Sequence, residues 1–228
     1  MLLKTEIEKM LLSNGVYDVG FSRVPDSPCG LDYAVSIVAA LSDAVVDEIT
    51  NAPTPTYFHH YRTVNAFIDN MLLRTGQMLE NEGYRYIPVA ASQTINPGGV
   101  REHFGRYSHK KAAVLAGLGT VGRSALFLHN RLGPRVRLGA LFTDFPLTET
   151  CASAESVCGG CRLCAEACPA GAIRGVEWSP GLEREALFDA KACNDYMRAH
   201  FMHIGRGAVC GICIKVCPKP GRKAALSG

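Results

Sequence analysis

Eight of the ten cysteines in this 228-residue chain lie in its last third, and their spacing restricts the backbone there more than any other feature does. One run reads Cys158-Gly-Gly-Cys161-Arg-Leu-Cys164-Ala-Glu-Ala-Cys168-Pro169. The other is Cys193 followed by Cys210-Gly-Ile-Cys213-Ile-Lys-Val-Cys217-Pro218. A Cys-x2-Cys loop is too short for a strand or a full helix, but it brings two thiolates to one side of a metal cluster. The proline after each run cannot continue a helix and turns the chain away. Cys-x2-Cys pairs also build tetrahedral zinc sites. Eight thiolates with two Cys-x3-Cys-Pro endings favour iron–sulfur over zinc.

The first run has the spacing of two-cluster bacterial ferredoxins, in which the fourth cysteine ligates the other cluster. Crossing then gives Cys158, Cys161, Cys164 and Cys217 for cluster 1. Cluster 2 takes Cys168, Cys210, Cys213 and Cys193, which stands seventeen residues before Cys210. Cys29 and Cys151 are left over and read as small hydrophobes. Such a chain moves electrons singly and at low potential.

Composition narrows the setting. At 47% hydrophobic residues the chain can build a core outside the cysteine region. A net charge of +3 with no Lys/Arg run gives no reason to expect a nucleic-acid partner. No apolar stretch is long enough to span a membrane, and no signal peptide opens the chain. A cytoplasmic location is expected, where clustered cysteines are metal ligands rather than disulfides.

Before the cysteines, the pattern predicts mixed helices and strands. Leu3, Ile7, Met10 and Leu11 share one helical face over 2–14, stopped by Asn14-Gly15. Residues 16–22, 33–41, 84–91 and 135–143 read as strands. Residues 25–30 read as a turn-rich loop and 51–56 as a linker. The clearest helix covers 58–82, where Val64, Phe67, Ile68, Met71, Leu72, Thr75, Met78 and Leu79 keep helical rhythm and Gly83 ends it. Residues 92–107 form a polar loop, and Ser108 caps a short helix to Leu115. The composition shift near Thr150 predicts a division into 1–149 and 150–228.

Gly117-Leu-Gly119-Thr-Val-Gly122 matches the dinucleotide fingerprint, with Ala113 to Ala116 as a possible preceding strand. That motif needs a following helix to hold the pyrophosphate. Here about ten residues precede the Gly133-Pro134 break, so a nicotinamide site is discounted. The glycines instead mark a close backbone approach or positive φ angles.

Ala116-Gly-Leu-Gly-Thr-Val-Gly-Arg-Ser124, Arg137-Leu-Gly-Ala-Leu-Phe-Thr-Asp144, the two cysteine runs and Asp189-Ala-Lys-Ala-Cys193-Asn-Asp-Tyr196 together resemble the epoxyqueuosine reductases. These are cobalamin-dependent iron–sulfur enzymes related to reductive dehalogenases. The resemblance covers roughly residues 80–220. It implies an α+β fold: a nitroreductase-like corrinoid-binding domain followed by a two-cluster ferredoxin-like domain. It further implies base-off cobalamin beside two 4Fe-4S clusters, with Gly119, Thr120, Gly122, Arg123, Ser124, Asn194 and Tyr196 near the corrinoid, joined by Ser92 and Gln93 after the third strand. A ferredoxin or flavodoxin donor is implied, or a corrinoid protein as partner.

Two departures stand out. The family's general acid follows the strand before the glycine motif, but here that strand ends Pro88-Val-Ala-Ala-Ser92-Gln93. The candidates left for proton transfer are Ser92, Glu102 and His103, with His109 further on. The family's helical-repeat segment, associated with tRNA, is also absent from the eleven residues after Cys217. The expected function is therefore a cobalamin-binding reductase of a small organic substrate. The alternatives are a non-catalytic corrinoid activator or carrier, and a corrinoid-free electron-transfer module. His59-His60 reads as a polar helix end, and His200 and His203 carry no assignment.

Overall fold

The structure is a computed structural model that describes residues 2–99, 103–147, 156–205 and 207–219. Contacts divide the chain into two compact units that interleave along the sequence. The first comprises Met1–Ala40, Val64–Leu118 and Arg137–Ser153; the second comprises Leu41–Thr63, Gly119–Val136 and Ala154–Gly228. No single cut produces this division, and the expected one at 149 falls outside the described residues. The physical reason is shortage of apolar material: small domains bury proportionately little surface. The cysteine segment shares its unit with Val46, Ile49, Tyr57, Val121, Phe127 and Leu128, all buried and all from earlier in the chain.

The first unit is built on a four-stranded sheet in the order β1-β2-β6-β3. β1 (Asp18–Arg23) pairs antiparallel with β2 (Tyr33–Ala40), and β3 (Tyr86–Val89) with β6 (Val136–Thr143). Ile7 and Leu11 of α1 (Leu2–Ser13) are fully buried. Helix α3 (Pro55–Asn81) lays Ile68 and Leu72 over Gly139 of β6. A Cβ there would come within 2.4 Å of Ile68 and 3.1 Å of both Ile37 and Leu72. Gly20 makes a matching close approach to α4 (His109–Leu115), where an added Cβ would lie 2.7 Å from Ala116. Gly20 pairs with Ser36, next to Ile37, and strand side chains alternate, so α3 and α4 take opposite faces of the sheet.

Helix α3 starts three residues before its expected position. Pro55 supplies the fixed φ suited to a first helical residue, and the Thr54 hydroxyl accepts the Tyr57 N–H at 3.1 Å. Ser108 caps α4 as expected, accepting from Lys111 N–H at 3.3 Å. One local expectation is corrected. Ala113 to Ala116 close a helix and are not a strand. The loop 92–107 contains a 3-10 turn at Pro97–Gly99 and an isolated bridge between Ile95 and Phe104.

The second unit contains α2 (Asp43–Asp47), the first turns of α3, and a hairpin of β4 (Gly119–Val121) with β5 (Phe127–His129). Four helices follow: α5 (Leu163–Glu166), α6 (Arg184–Leu187), α7 (Ala190–Gly205) and α8 (Ile212–Lys215). Gly205 and Gly211 are required by close packing, since a Cβ on either would strike the rings of Phe58 and Tyr57 respectively. Among the described residues no helix is long and apolar enough to cross a membrane.

Candidate metal centre

The first Cys-x2-Cys is a tight turn: Cys161 N–H donates to the Cys158 carbonyl at 3.1 Å, and Gly159 between them takes a φ of 53°. Helix α5 carries Cys164. Cys217 arrives from the other run, just past α8. These four sulfurs line one cavity. The other four come from the end of the first run (Cys168), one turn into α7 (Cys193), and either side of the α8 start (Cys210, Cys213).

Electrostatics separates the same two groups. Burial pushes the Cys164 thiol up, and neighbouring charge at Cys217 and Cys158 pushes it further. Cys217 is likewise raised by burial and by Cys158 and Cys161. Cys193 is pushed up to about 12 by burial, then by Cys210 and Cys168. Cys213 is raised by burial and by Cys210, Cys193 and Cys168, with Cys164 the weakest contributor. Thiols so crowded and shielded ionise when a bound cation compensates their charge, which is the chemistry of a metal-cluster donor set.

The glycine motif is not the start of a nucleotide site. It forms the β4–β5 hairpin, and the protein's own atoms occupy the space the glycines leave. A Cβ at Gly119 would lie 2.2 Å from the Leu128 carbonyl; one at Gly122 would lie 2.7 Å from Leu128 Cδ1 and 3.3 Å from Cys158 Sγ. The turn between the strands closes on itself through Gly122 N–H to Leu126 carbonyl at 2.9 Å. It presents Arg123 to the cysteine loop, with its backbone N–H 3.4 Å from Cys158 Sγ. Ser124 lines the same cavity as the four sulfurs. Thr120, in β4, is buried with its hydroxyl unpartnered.

In α7, Asn194 is buried beside Cys193, and the Tyr196 ring stacks on His200 at 4.2 Å. The Asp47 carboxyl is held down to about 2 by hydrogen bonds from Lys215 and then Arg135. Lys215 lies between Cys213 and Cys217, so this ion pair ties the second cysteine helix to α2. His60 accepts the Ser42 N–H at 3.0 Å and serves the start of α2.

In the first unit, Ser92 and Gln93 are exposed just past β3. His103 lies on the same excursion with a left-handed φ of 56°, while Glu102 and Cys151 fall outside the described residues. Cys29 lies 3.6 Å from the Ser27 hydroxyl, beside the core. The end of β3 is held from three elements. Asp69 accepts the Ala91 N–H at 2.8 Å, Arg137 donates to the Ala91 carbonyl and to Asn65, and His109 Nε2 faces the Ala90 carbonyl at 3.0 Å. Since a carbonyl only accepts, Nε2 carries the proton, and Nδ1 is buried without a partner. Sequence reading missed Asp69 and Arg137. The signal was present in Asn65 and Asp69, polar residues one helical turn apart on α3.

Known proteins define the class first. Residues 157–220 match the family described as 4Fe-4S double cluster binding domain, which decides for iron–sulfur over zinc. Longer stretches of the chain are also similar to two groups of reductases. It is 28% identical over 183 residues to the epoxyqueuosine reductase of Vibrio cholerae, covering 73% of this chain and 43% of that one. It is 32% identical over 113 residues to the tetrachloroethene reductive dehalogenase of Sulfurospirillum multivorans, covering 46% of this chain and 22% of that one. The chain thus spans less than half the length of these curated relatives.

Solved structures carry the likeness across the fold. A selenomethionine-labelled epoxyqueuosine reductase matches 97% of this chain and 66% of its own, with a TM-score of 0.63 and 18% identity. A catabolic reductive dehalogenase in complex with 3-bromo-4-hydroxybenzoic acid matches 93% of this chain and 32% of its own, with a TM-score of 0.68 and 19% identity. The chain is thus similar to the epoxyqueuosine reductases and the reductive dehalogenases, and it carries a 4Fe-4S double cluster binding segment.

Proposed function

We propose that this chain passes low-potential electrons through two 4Fe-4S clusters to a bound cobalamin, which reduces a small organic substrate. The observation that supports the reading most strongly is the cavity lined by Cys158, Cys161, Cys164 and Cys217, in a chain whose fold is shared with enzymes of this kind. Cys158, Cys161, Cys164 and Cys217 hold the first cluster; Cys168, Cys193, Cys210 and Cys213 hold the second. One structural neighbour is a reductive dehalogenase described with a B12-dependent dehalogenation mechanism. The residues here suit the same cofactor: Thr120 has a buried hydroxyl with no partner, and Asn194 offers a buried amide.

Cobalamin, when bound, supplies the metal-centred reductive chemistry. The chain's residues bind and orient. Thr120, Asn194 and Tyr196 of the second unit would contact the corrinoid in this reading. The first unit, a sheet with helices on both faces, corresponds to the nitroreductase-like cradle. Electrons enter from a ferredoxin or flavodoxin, in a cytoplasmic setting. A second reading, a non-catalytic corrinoid activator or carrier, is favoured by one observation: Ala90-Ala91-Ser92, which follow β3, include no acidic residue to deliver a proton.

The test is anaerobic reconstitution followed by titration with cobalamin, measuring iron, cobalt and the visible and EPR spectra. Roughly eight irons per chain are expected from two clusters, with bound cobalt and an altered cobalamin spectrum. Eight irons with an unchanged spectrum would sink the corrinoid reading and leave an electron-transfer module. Turnover of a reducible substrate then separates a reductase from an activator.

A further inference from the structure

Arg123 stands apart from the other residues of its turn because its guanidinium bridges the first cysteine loop, at Gly159, and the segment at Gly175–Glu177. Nε and one terminal nitrogen donate to the Gly159 carbonyl at 3.1 and 2.7 Å, and the other terminal nitrogen donates to the Gly175 carbonyl at 2.6 Å. A longer contact of 3.2 Å reaches Glu177. The side chain is only 15% exposed, whereas Glu177 is 46% exposed. Arg123 also lines the cavity enclosed by Cys158, Cys161, Cys164 and Cys217, and its backbone N–H points at Cys158 Sγ.

A guanidinium keeps its charge at any accessible pH. In a shielded site that charge acts at low effective dielectric. A cluster's potential depends on surrounding charge, on hydrogen bonds to its sulfurs and on exposure. A nearby cation stabilises the form carrying one more electron. The second group of cysteines has the opposite neighbour. Asp189 accepts the Ala192 N–H at 2.9 Å just before α7, one helical turn from Cys193.

We infer that Arg123 is a positioning residue that sets the reduction potential of the first cluster. It pins the Cys158–Cys161 loop and, as a shielded cation, makes that cluster the more easily reduced of the two. The inference rests on the cluster part of the proposed function and is independent of cobalamin. The step is a one-electron reduction of each cluster by an added chemical reductant, with no bond made or broken.

The experiment is an EPR-monitored redox titration of the reconstituted protein without cobalamin. Cys217→Ser identifies the signal of the second cluster by removing the first. In the unaltered chain the first cluster should have the higher midpoint. Arg123→Gln should move that midpoint to more negative potential and leave the second in place. Arg123→Lys, which keeps the charge but not the fork, should restore most of the difference. Glu177→Gln, at an exposed position, should move the first midpoint the other way. The inference is overturned if the first cluster has the lower midpoint, or if Arg123→Gln shifts neither cluster or both alike. Should Arg123→Gln lose iron, Glu177→Gln decides, and an unmoved midpoint refutes the assignment. Failure of the cluster reading itself looks different: the unaltered chain would lack two cluster signals.

Discussion

Replacing Gly122 by alanine tests whether the glycine motif serves the hairpin and the cysteine loop or leaves room for something else. The new Cβ would lie 2.7 Å from Leu128 Cδ1 and 3.3 Å from Cys158 Sγ. Carbon atoms pack best at about 3.5–4.0 Å, so Leu128 must retreat by roughly 1 Å. Leu128 is buried and has little room to do so. Overpacking of this kind costs about 1–3 kcal/mol. Alanine also restricts the unfolded chain, which returns about 0.4–1 kcal/mol at a position of ordinary φ. The net expectation is destabilisation of about 1–2 kcal/mol. The assay is anaerobic urea unfolding followed by fluorescence of Trp178, the chain's single tryptophan. The first cluster should also be lost sooner to an iron chelator, because Cys158 must shift. Gly119→Ala should be more damaging, since its obstacle is the Leu128 backbone carbonyl at 2.2 Å. A Gly122→Ala protein as stable as the parent, with both clusters equally resistant, would refute the reasoning.

Crossing of the ligands and the titration of His109 give two more expectations. Cys217→Ser should abolish the first cluster although it lies in the second run, and Cys193→Ser should abolish the second, each lowering iron from roughly eight towards four; loss of only the second cluster from Cys217→Ser excludes crossing. Burial lowers the pKa of His109, opposed by the Ala90 carbonyl, with Arg137 lowering and Asp69 raising it further. The unfolded chain then binds the extra proton first, so this contribution to stability is complete above about pH 6.5 and is lost as pH falls below that value, at no more than about 1.4 kcal/mol per pH unit. His109→Gln should flatten that dependence in urea unfolding followed by circular dichroism between about pH 7.5 and 5.5, and an unchanged slope would show that His109 does not titrate as described.

Much of the local structure was legible before any coordinates. The apolar rhythm of α3 puts Val64, Ile68, Leu72 and Leu79 on one buried face because helical periodicity and burial answer to the same hydrophobic term. Strand β2 reads as a continuous apolar run because both faces are covered. Ser108 acts as a cap because a short hydroxyl satisfies backbone N–H groups that no helix can. The thiolate donor set is equally local, since two Cys-x2-Cys loops present sulfur whatever surrounds them.

Other features depend on partners distant in sequence, and no local pattern encodes those. Gly119 and Gly122 match a dinucleotide fingerprint, yet the chain after them forms a hairpin because Leu128 and Cys158 fill the space beside them. Arg123 reads only as part of the glycine motif, and the fold alone brings Gly159 and Gly175 to its guanidinium. Asp47 and Lys215 are 168 residues apart, and only packing makes them an ion pair beside the second cysteine helix. The interleaving of 41–63 and 119–136 with the cysteine segment follows from a need for apolar area that the segment's own sequence does not meet. Sequence alone therefore determined the cysteine spacing and the elements of clear periodicity, such as α3 and β2, which rest on short-range pattern. Tertiary structure decided which side chains surround the sulfurs and which segments share a core, because those outcomes depend on burial summed across the whole chain.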